Sequence, residues 1–101
     1  ALLRPGRFDL VLEIPPPDRE SRRHIFEINL RGKPLAEPAP LDALADATDG
    51  FTGAEVEAVC HRAALDAVRD AVAAGGPPRV TRRHLDAAVE AVRPVRGTFS
   101  Q

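Results

Sequence analysis

Residues 52–73 read TGAEVEAVCHRAALDAVRDAVA and form the longest uninterrupted helical pattern in the chain. Thr52 and Glu55 have the spacing of a capping box, in which each side chain accepts a hydrogen bond from the other residue's backbone amide. Small and aliphatic side chains then recur at three- and four-residue steps, which predicts a helix over about residues 53–73 with one apolar stripe. The predicted stripe consists of Val56, Val59, Cys60, Ala63, Ala67, Val68 and Ala71. The sequence GGPP at 75–78 ends this helix.

Three further helices are predicted on either side of the long one. Asp18 is a suitable N-cap for a helix over residues 19–30, residues 41–48 form a short second helix, and Thr81 caps a last helix over residues 82–92. The side chains predicted to face inward are Ile25, Phe26, Ile28 and Leu30 on the first, Leu41, Leu44 and Ala45 on the second, and Leu85, Ala88, Val89 and Val92 on the last. Those predicted to face mostly outward on the first helix are Arg22, Arg23 and Glu27.

The N-terminal part has a different character. Residues 10–14, LVLEI, predict a short strand because they are apolar and partly branched, and three prolines stop it. The predicted fold is therefore all-α, a four-helix domain preceded by one strand. We divide the chain into residues 1–17, which are not expected to fold independently, a helical domain over 18–94, and a tail over 95–101. Because the first residue is not methionine, we expect the chain to be part of a longer polypeptide.

Composition restricts the possible functions of the chain. Its 101 residues suffice for one small domain, and a net charge of -1 does not favour a general nucleic-acid partner. One cysteine cannot form an internal disulfide, which is typical of a reducing cytoplasm, so we expect a cytoplasmic location. No apolar run approaches the length of a membrane span, so no membrane partner is expected.

The search for catalytic and metal motifs gives few candidates. The three histidines, His24, His61 and His84, are far apart and are predicted to be partly exposed helix residues, so no metal site is expected. Cys60 lies on the apolar stripe and is predicted to be a buried core residue. The sequence has no GxxxxGK[ST] phosphate loop and no apolar strand that ends in paired acids. We therefore expect the chain by itself to be neither an enzyme nor a good nucleotide binder.

One segment points to a more specific chemistry. Residues 3–9, LRPGRFD, place Arg4 and Arg7 on either side of a Pro-Gly turn, just before the predicted strand. Such a turn exposes its side chains, and arginine presents a planar, permanently charged set of donors suited to phosphate oxygens. An isolated RPGR sequence would be interpreted by default as a surface turn with two solvated arginines.

Several motifs in order resemble those of the AAA ATPases of the valosin-containing-protein type, which are related to membrane-bound AAA proteases and proteasomal ATPases. The resemblance extends from Ala1 to about Pro94, and its specificity comes from the order and spacing of the motifs. They are ALLRPGRFD at 1–9, the strand, PPPD at 15–18, Ser21-Arg22, GFTGAE at 50–55 and Val80-Thr81. The resemblance implies the helical lid of an AAA+ module, which follows the α/β core that holds ATP and Mg²⁺.

The resemblance also implies roles for particular residues. Arg4 and Arg7 match the arginine fingers that reach the γ-phosphate of ATP in the neighbouring subunit. The positions that match adenosine contacts are Ile25, Asn29, Gly53 and Ala54. For Ile25 a plain core role is an equal alternative, and for Asn29 a helix-capping role is an alternative. The implied partners are neighbouring subunits in a homo-hexamer, together with protein substrates or adaptors.

Two other classes of function remain open from the sequence. The last three helices could form a histone-fold or helix-turn-helix module, with Thr81-Arg82-Arg83-His84 opening a recognition helix. The neutral net charge and the lack of a basic stripe are against this alternative. The second alternative is a protein-interaction bundle that has no link to nucleotide.

Overall fold

The computed structural model describes residues 15–93, which form four helices. They are α1 (Arg19–Leu30), α2 (Leu41–Ala47), α3 (Gly53–Ala74) and α4 (Arg82–Val92). This range contains no strand, so the all-α prediction is confirmed, and each predicted helix boundary agrees with the structure to within one residue. The predicted strand over 10–14, the two arginines Arg4 and Arg7, and the tail over 95–101 lie outside the described residues.

The helix ends follow from local side-chain chemistry. Asp18 accepts a hydrogen bond from the Ser21 amide at the start of α1, and Thr52 and Thr81 cap α3 and α4. Each of these side chains satisfies an amide that has no partner within its own helix. Gly75 ends α3 with φ +79°, a left-handed conformation that glycine adopts without steric cost.

Helix α3 is the centre of the domain. It packs against both α1 and α4, whereas α2 packs against α1. The apolar side chains that meet between the helices form one buried core, consisting of Phe26, Leu30, Leu44, Phe51, Val56, Val59, Cys60, Ala63, Ala67, Val80, Leu85, Ala88 and Val89. Much of this core is small, which lets the α3 and α4 backbones approach closely, and its removal from water is the main stabilising term of the fold.

The two longer loops are joined to each other. The Ala36 amide donates to the Val80 carbonyl at 2.9 Å, and the Val80 amide donates to the Pro34 carbonyl at 2.8 Å. The Leu35–Val80 pair therefore forms a parallel bridge between the α1–α2 loop and the α3–α4 loop. Because Val80 is also buried, this bridge fixes the start of α4 relative to the end of α1.

Four predicted orientations are wrong. Arg22 was expected to face outward and is only 4% exposed, and His84 was expected to be partly exposed and is 7% exposed. Ile28 and Val68 were expected to face inward but are 49% and 46% exposed. Ile28 and Val68 lie at the margins of their apolar stripes, where no other helix between residues 15 and 93 covers them. The two polar residues are buried because other parts of the chain supply their hydrogen-bond partners, which helix periodicity does not register.

None of the helices between residues 15 and 93 combines the length and the apolar character that crossing a membrane requires.

Candidate functional site

The candidate site lies where the start of α3 meets the middle of α1. The capping box fixes this start, because the Glu55 amide donates to the Thr52 hydroxyl at 3.1 Å and the Thr52 amide donates to the Glu55 carboxylate at 2.8 Å. Gly53 is the first residue of α3, and a methyl group added there would lie 3.7 Å from Ile25 Cδ1. The structure thus places two of the predicted site residues, Gly53 and Ile25, beside each other.

The other two predicted site residues share an open cavity of about 390 Å³. Its lining consists of Asn29, Lys33, Ala54, Glu57, Ala58, Cys60 and His61. Asn29 lies one helical turn after Ile25 on α1, and Ala54 follows Gly53 on α3. The four predicted positions therefore form two α1–α3 pairs, Ile25 with Gly53 and Asn29 with Ala54. Ile25 itself packs against the core and borders a neighbouring groove formed with Glu20, Ser21 and His24.

Asn29 has a defined orientation in this cavity. The side-chain Nδ2 of Asn29 donates to the backbone carbonyl of Ile25 at 2.8 Å, one turn back along α1. The backbone carbonyl of Asn29 accepts a hydrogen bond from Lys33 Nζ at 2.7 Å. The side chain keeps Oδ1 as a further hydrogen-bond acceptor. The structure does not show the capping role considered for Asn29. Its side-chain amide bonds a carbonyl within α1, and the C-cap of the helix is Arg31.

The cavity contains no group activated for covalent chemistry. Cys60 borders it but is 1% exposed, and burial raises the pKa of the Cys60 thiol to about 11, so at neutral pH the sulfur is protonated and unreactive. Within residues 15–93, no cluster of three or more His, Cys, Asp or Glu side chains is arranged to hold a metal ion.

A polar network at the start of α4 was missed by the sequence analysis. His84 Nδ1 accepts from the Thr81 amide at 3.0 Å, which makes His84 the third-position partner of a capping box usually closed by Glu or Gln. His84 Nε2 lies 2.6 Å from Asp70 Oδ2 on α3. The Thr-x-x-His spacing was the available signal in the sequence, but nothing in it identified Asp70 as the second partner.

A second missed residue is Arg22 on α1. Its guanidinium donates to the Ala45 carbonyl from Nε at 3.1 Å and from Nη2 at 2.8 Å, and to the Pro17 carbonyl from Nη1 at 3.0 Å. Nε also lies 3.2 Å from the Thr48 hydroxyl. Arg22 therefore connects the end of α2 with the residues that precede α1.

Surface ion pairs also join α1 and α2. Arg19 bonds Asp46, and Arg23 donates to Asp42 at 2.8 Å. The hydrogen bond from Arg19 holds the pKa of Asp46 below its ordinary value. These side chains are largely exposed, so water screens both pairs and they contribute little to the free energy of unfolding.

The structure is a small all-α domain with an open cavity where α1 meets α3. The chain belongs to the AAA+ lid domain family, whose family model matches residues 39–87. This membership favours the AAA+ interpretation over the histone-fold and helix-turn-helix alternatives. The match spans α2, α3 and about the first half of α4.

Individual relatives extend the similarity to α1 and the N-terminal segment. The Cell division cycle protein 48 homolog of Archaeoglobus fulgidus is 41% identical over 93% of this chain and 14% of its own length. The ATP-dependent zinc metalloprotease FtsH of Thermotoga maritima is 42% identical over 91% of this chain and 14% of its own length. The Proteasome-activating nucleotidase of Methanothermobacter thermautotrophicus is 47% identical over 69% of this chain and 17% of its own length. The chain thus spans about a sixth or less of these curated relatives.

The fold has a solved counterpart as well. A chain of the structure described as "Structural Basis for Katanin Self-Assembly" superposes with a TM-score of 0.71 and 29% sequence identity. The similarity covers 81% of this chain and 33% of that chain. The four-helix arrangement is therefore that of an AAA+ lid.

Proposed function

We propose that this chain is the lid of an AAA+ ATPase subunit and that its α1–α3 face contacts the adenosine of bound ATP. The observation that carries the proposal is the pairing of these residues between the two helices, Gly53 beside Ile25 and Ala54 in one cavity with Asn29. An apolar side chain, an amide and two small residues are suited to an adenosine, because they offer packing, an acceptor atom and close backbone approach.

The phosphate chemistry belongs to other parts of the assembly. The sequence has no phosphate loop, so ATP and Mg²⁺ are held by an α/β core that is not in this chain, and the chain alone neither binds nor hydrolyses ATP. Arg4 and Arg7 act as arginine fingers on ATP bound in the neighbouring subunit, where they stabilise charge on the transferred phosphoryl group. This role requires a ring, which we propose to be a homo-hexamer.

The work done by such a ring is the remodelling or unfolding of protein substrates, presented directly or by adaptors. Support comes from the relatives, among which are an ATP-dependent metalloprotease and a proteasome-activating nucleotidase. The single cysteine supports a cytoplasmic location.

A methyl-group scan tests the adenosine contact. The test protein is a chimera in which this chain replaces the matching segment of the Archaeoglobus fulgidus relative. Gly53→Ala should not destabilise the lid, because the added methyl meets only Ile25 Cδ1, at an ordinary contact distance of 3.7 Å. In the chimera the same methyl should lower ATP affinity by about tenfold or more, because it occupies space needed by the adenosine.

Gly76→Ala is the matched control, since a methyl group at Gly76 would meet nothing within 4 Å. Calorimetric titration with ATP should give unchanged affinity for this variant. Equal affinities for Gly53→Ala and the unmodified chimera would contradict the adenosine contact. That result would favour the alternative of a protein-interaction bundle without a link to nucleotide.

A further inference from the structure

The buried guanidinium of Arg22 lies at the point where the chain enters the helical domain. Only 4% of this residue is exposed, and its hydrogen bonds reach two separate parts of the chain. On one side Nε and Nη2 both donate to the Ala45 carbonyl in the last turn of α2. On the other side Nη1 donates to the carbonyl of Pro17, the residue just before the α1 N-cap.

The chemistry of the site requires an arginine. The carbonyls near the C-terminus of α2 carry partial negative charge, which favours a cation there. The nearest carboxylate, that of Asp49, is 3.9 Å away and 96% exposed, so water screens it and the backbone carbonyls are the main partners. A lysine has all its donors on one nitrogen and cannot reach the Ala45 and Pro17 carbonyls with the same geometry.

The hydrogen bond from Arg22 to the Pro17 carbonyl also restrains the residues before Pro17. Residues 15–17 are consecutive prolines without a cis peptide bond, and a proline run is semi-rigid because each ring fixes φ. Fixing the Pro17 carbonyl therefore fixes the direction of the chain back to Pro15. Without that bond, the direction would depend on the backbone angles between Pro17 and α1 alone.

We propose that Arg22 is a positioning residue that fixes the direction in which the polypeptide enters the helical domain. Residues 15–17 then belong to the rigid body of α1 and α2, and any pivot between the helices and the segment carrying Arg4 and Arg7 lies N-terminal to Pro15. The importance of this pivot for arginine fingers rests on the proposed function. The hydrogen bond from Arg22 to the Pro17 carbonyl can be tested in this chain without nucleotide.

Distance measurements between two spin labels test the proposal in the full 101-residue chain. One label is attached at Pro15→Cys and the other at Val72→Cys, which is 79% exposed on α3. Cys60 does not compete for label, because it is buried and its pKa is raised to about 11. We expect a narrow distance distribution, and Arg22→Lys should make it at least about twofold wider while circular dichroism shows that the helices remain.

Arg23→Lys is the matched control, because Arg23 lies next along α1 and pairs with the exposed Asp42. It should leave the width unchanged. An unchanged width in folded Arg22→Lys, or equal broadening in both variants, would overturn the proposal.

A measurement on the chain with native Arg22 covers the case in which Arg22→Lys does not fold. NMR can detect a scalar coupling across the hydrogen bond from Arg22 Nη1 to the Pro17 carbonyl carbon, together with slowed rotation of the guanidinium. Detection of both supports the proposal. A freely rotating guanidinium without the coupling refutes it. Neither outcome depends on ATP binding, so failure here is distinct from failure of the proposed function.

Discussion

His84 Nε2 lies 2.6 Å from Asp70 Oδ2, and this hydrogen bond connects the first turn of α4 to the last third of α3. Because Nδ1 of the same ring accepts from the Thr81 amide, the proton of the neutral imidazole is on Nε2, which donates to the carboxylate. The ring is almost fully buried, whereas the Asp70 side chain is 60% exposed. One imidazole therefore satisfies both a helix cap and a contact between helices.

The pKa of Asp70 should report this bond. The hydrogen bond from His84 is the main reason why the pKa of Asp70 lies below its ordinary value, with Arg83 adding a smaller effect. In His84→Ala, the pKa of Asp70 measured by NMR titration of its carboxyl carbon should rise toward the unfolded value of about 3.9. The pKa of Asp46, which Arg19 lowers at the contact between α1 and α2, is the internal control and should not change.

The same bond has a defined effect on acid stability. Since the folded-state pKa of Asp70 is below the unfolded value, its contribution to stability is present above about pH 4 and is lost as pH falls through the folded-state pKa. Asp70→Asn should thus reduce the free energy of unfolding at pH 6, and the difference from the native sequence should shrink in strong acid. A difference that grows on acidification would contradict the assigned bond.

Cys60 predicts a second pH effect, at the alkaline end. Burial raises its pKa to about 11, whereas an unfolded thiol ionises near pH 8.5, so its contribution is fully present below pH 8.5 and is lost as pH rises through 11. Cys60→Ala should cost about 1 kcal/mol at pH 7 through lost packing. Urea unfolding should therefore show that the difference in the free energy of unfolding between the two proteins disappears or reverses sign at pH 10. A difference that is the same at pH 7 and pH 10 would mean that the folded thiol ionises as readily as the unfolded one.

The central stripe of α3 provides a prediction on stability. Ala63 is fully buried, and the core contacts around it are apolar, so Ala63→Glu places a carboxylate where it has no partner. The expected cost is at least about 4 kcal/mol, comparable with the total stability of a small domain, and thermal melting should show loss of the fold. Val72→Glu on the exposed side of α3 should change stability by less than about 0.5 kcal/mol. Similar melting temperatures for the two variants would contradict the observed helix register.

The sequence predicts the helices of this domain better than its polar contacts. Helix ends are set by neighbours such as Asp18 and Ser21 or Thr52 and Glu55, and local patterns contain that information. Arg22 and Ala45 are 23 residues apart, so their contact depends on how α2 packs on α1. Periodicity classes an arginine as exposed and cannot register a carbonyl that another helix supplies.

At the candidate site, too, the sequence predicts only some of the residues. Motif order led us to expect that Ile25, Asn29, Gly53 and Ala54 contact adenosine. In the structure Gly53 lies beside Ile25, and Asn29 and Ala54 line one cavity. Lys33, Glu57 and His61 also surround the cavity, but no motif pointed to them. Their positions follow from the packing angle between α1 and α3, which a one-dimensional pattern does not specify.

The steady-state rate of ATP hydrolysis by the chimera with the Archaeoglobus fulgidus relative is the most direct test of the assignment as an AAA+ lid and arginine-finger segment. We predict that the chimera hydrolyses ATP, and that Arg4→Ala or Arg7→Ala lowers kcat by about 100-fold or more while ATP affinity changes less than about threefold. Arg62→Ala, which removes an exposed α3 arginine paired with Asp66, is the control and should leave both quantities unchanged. Hydrolysis that is unaffected by loss of Arg4 and Arg7, or loss of affinity with unchanged kcat, would contradict the account.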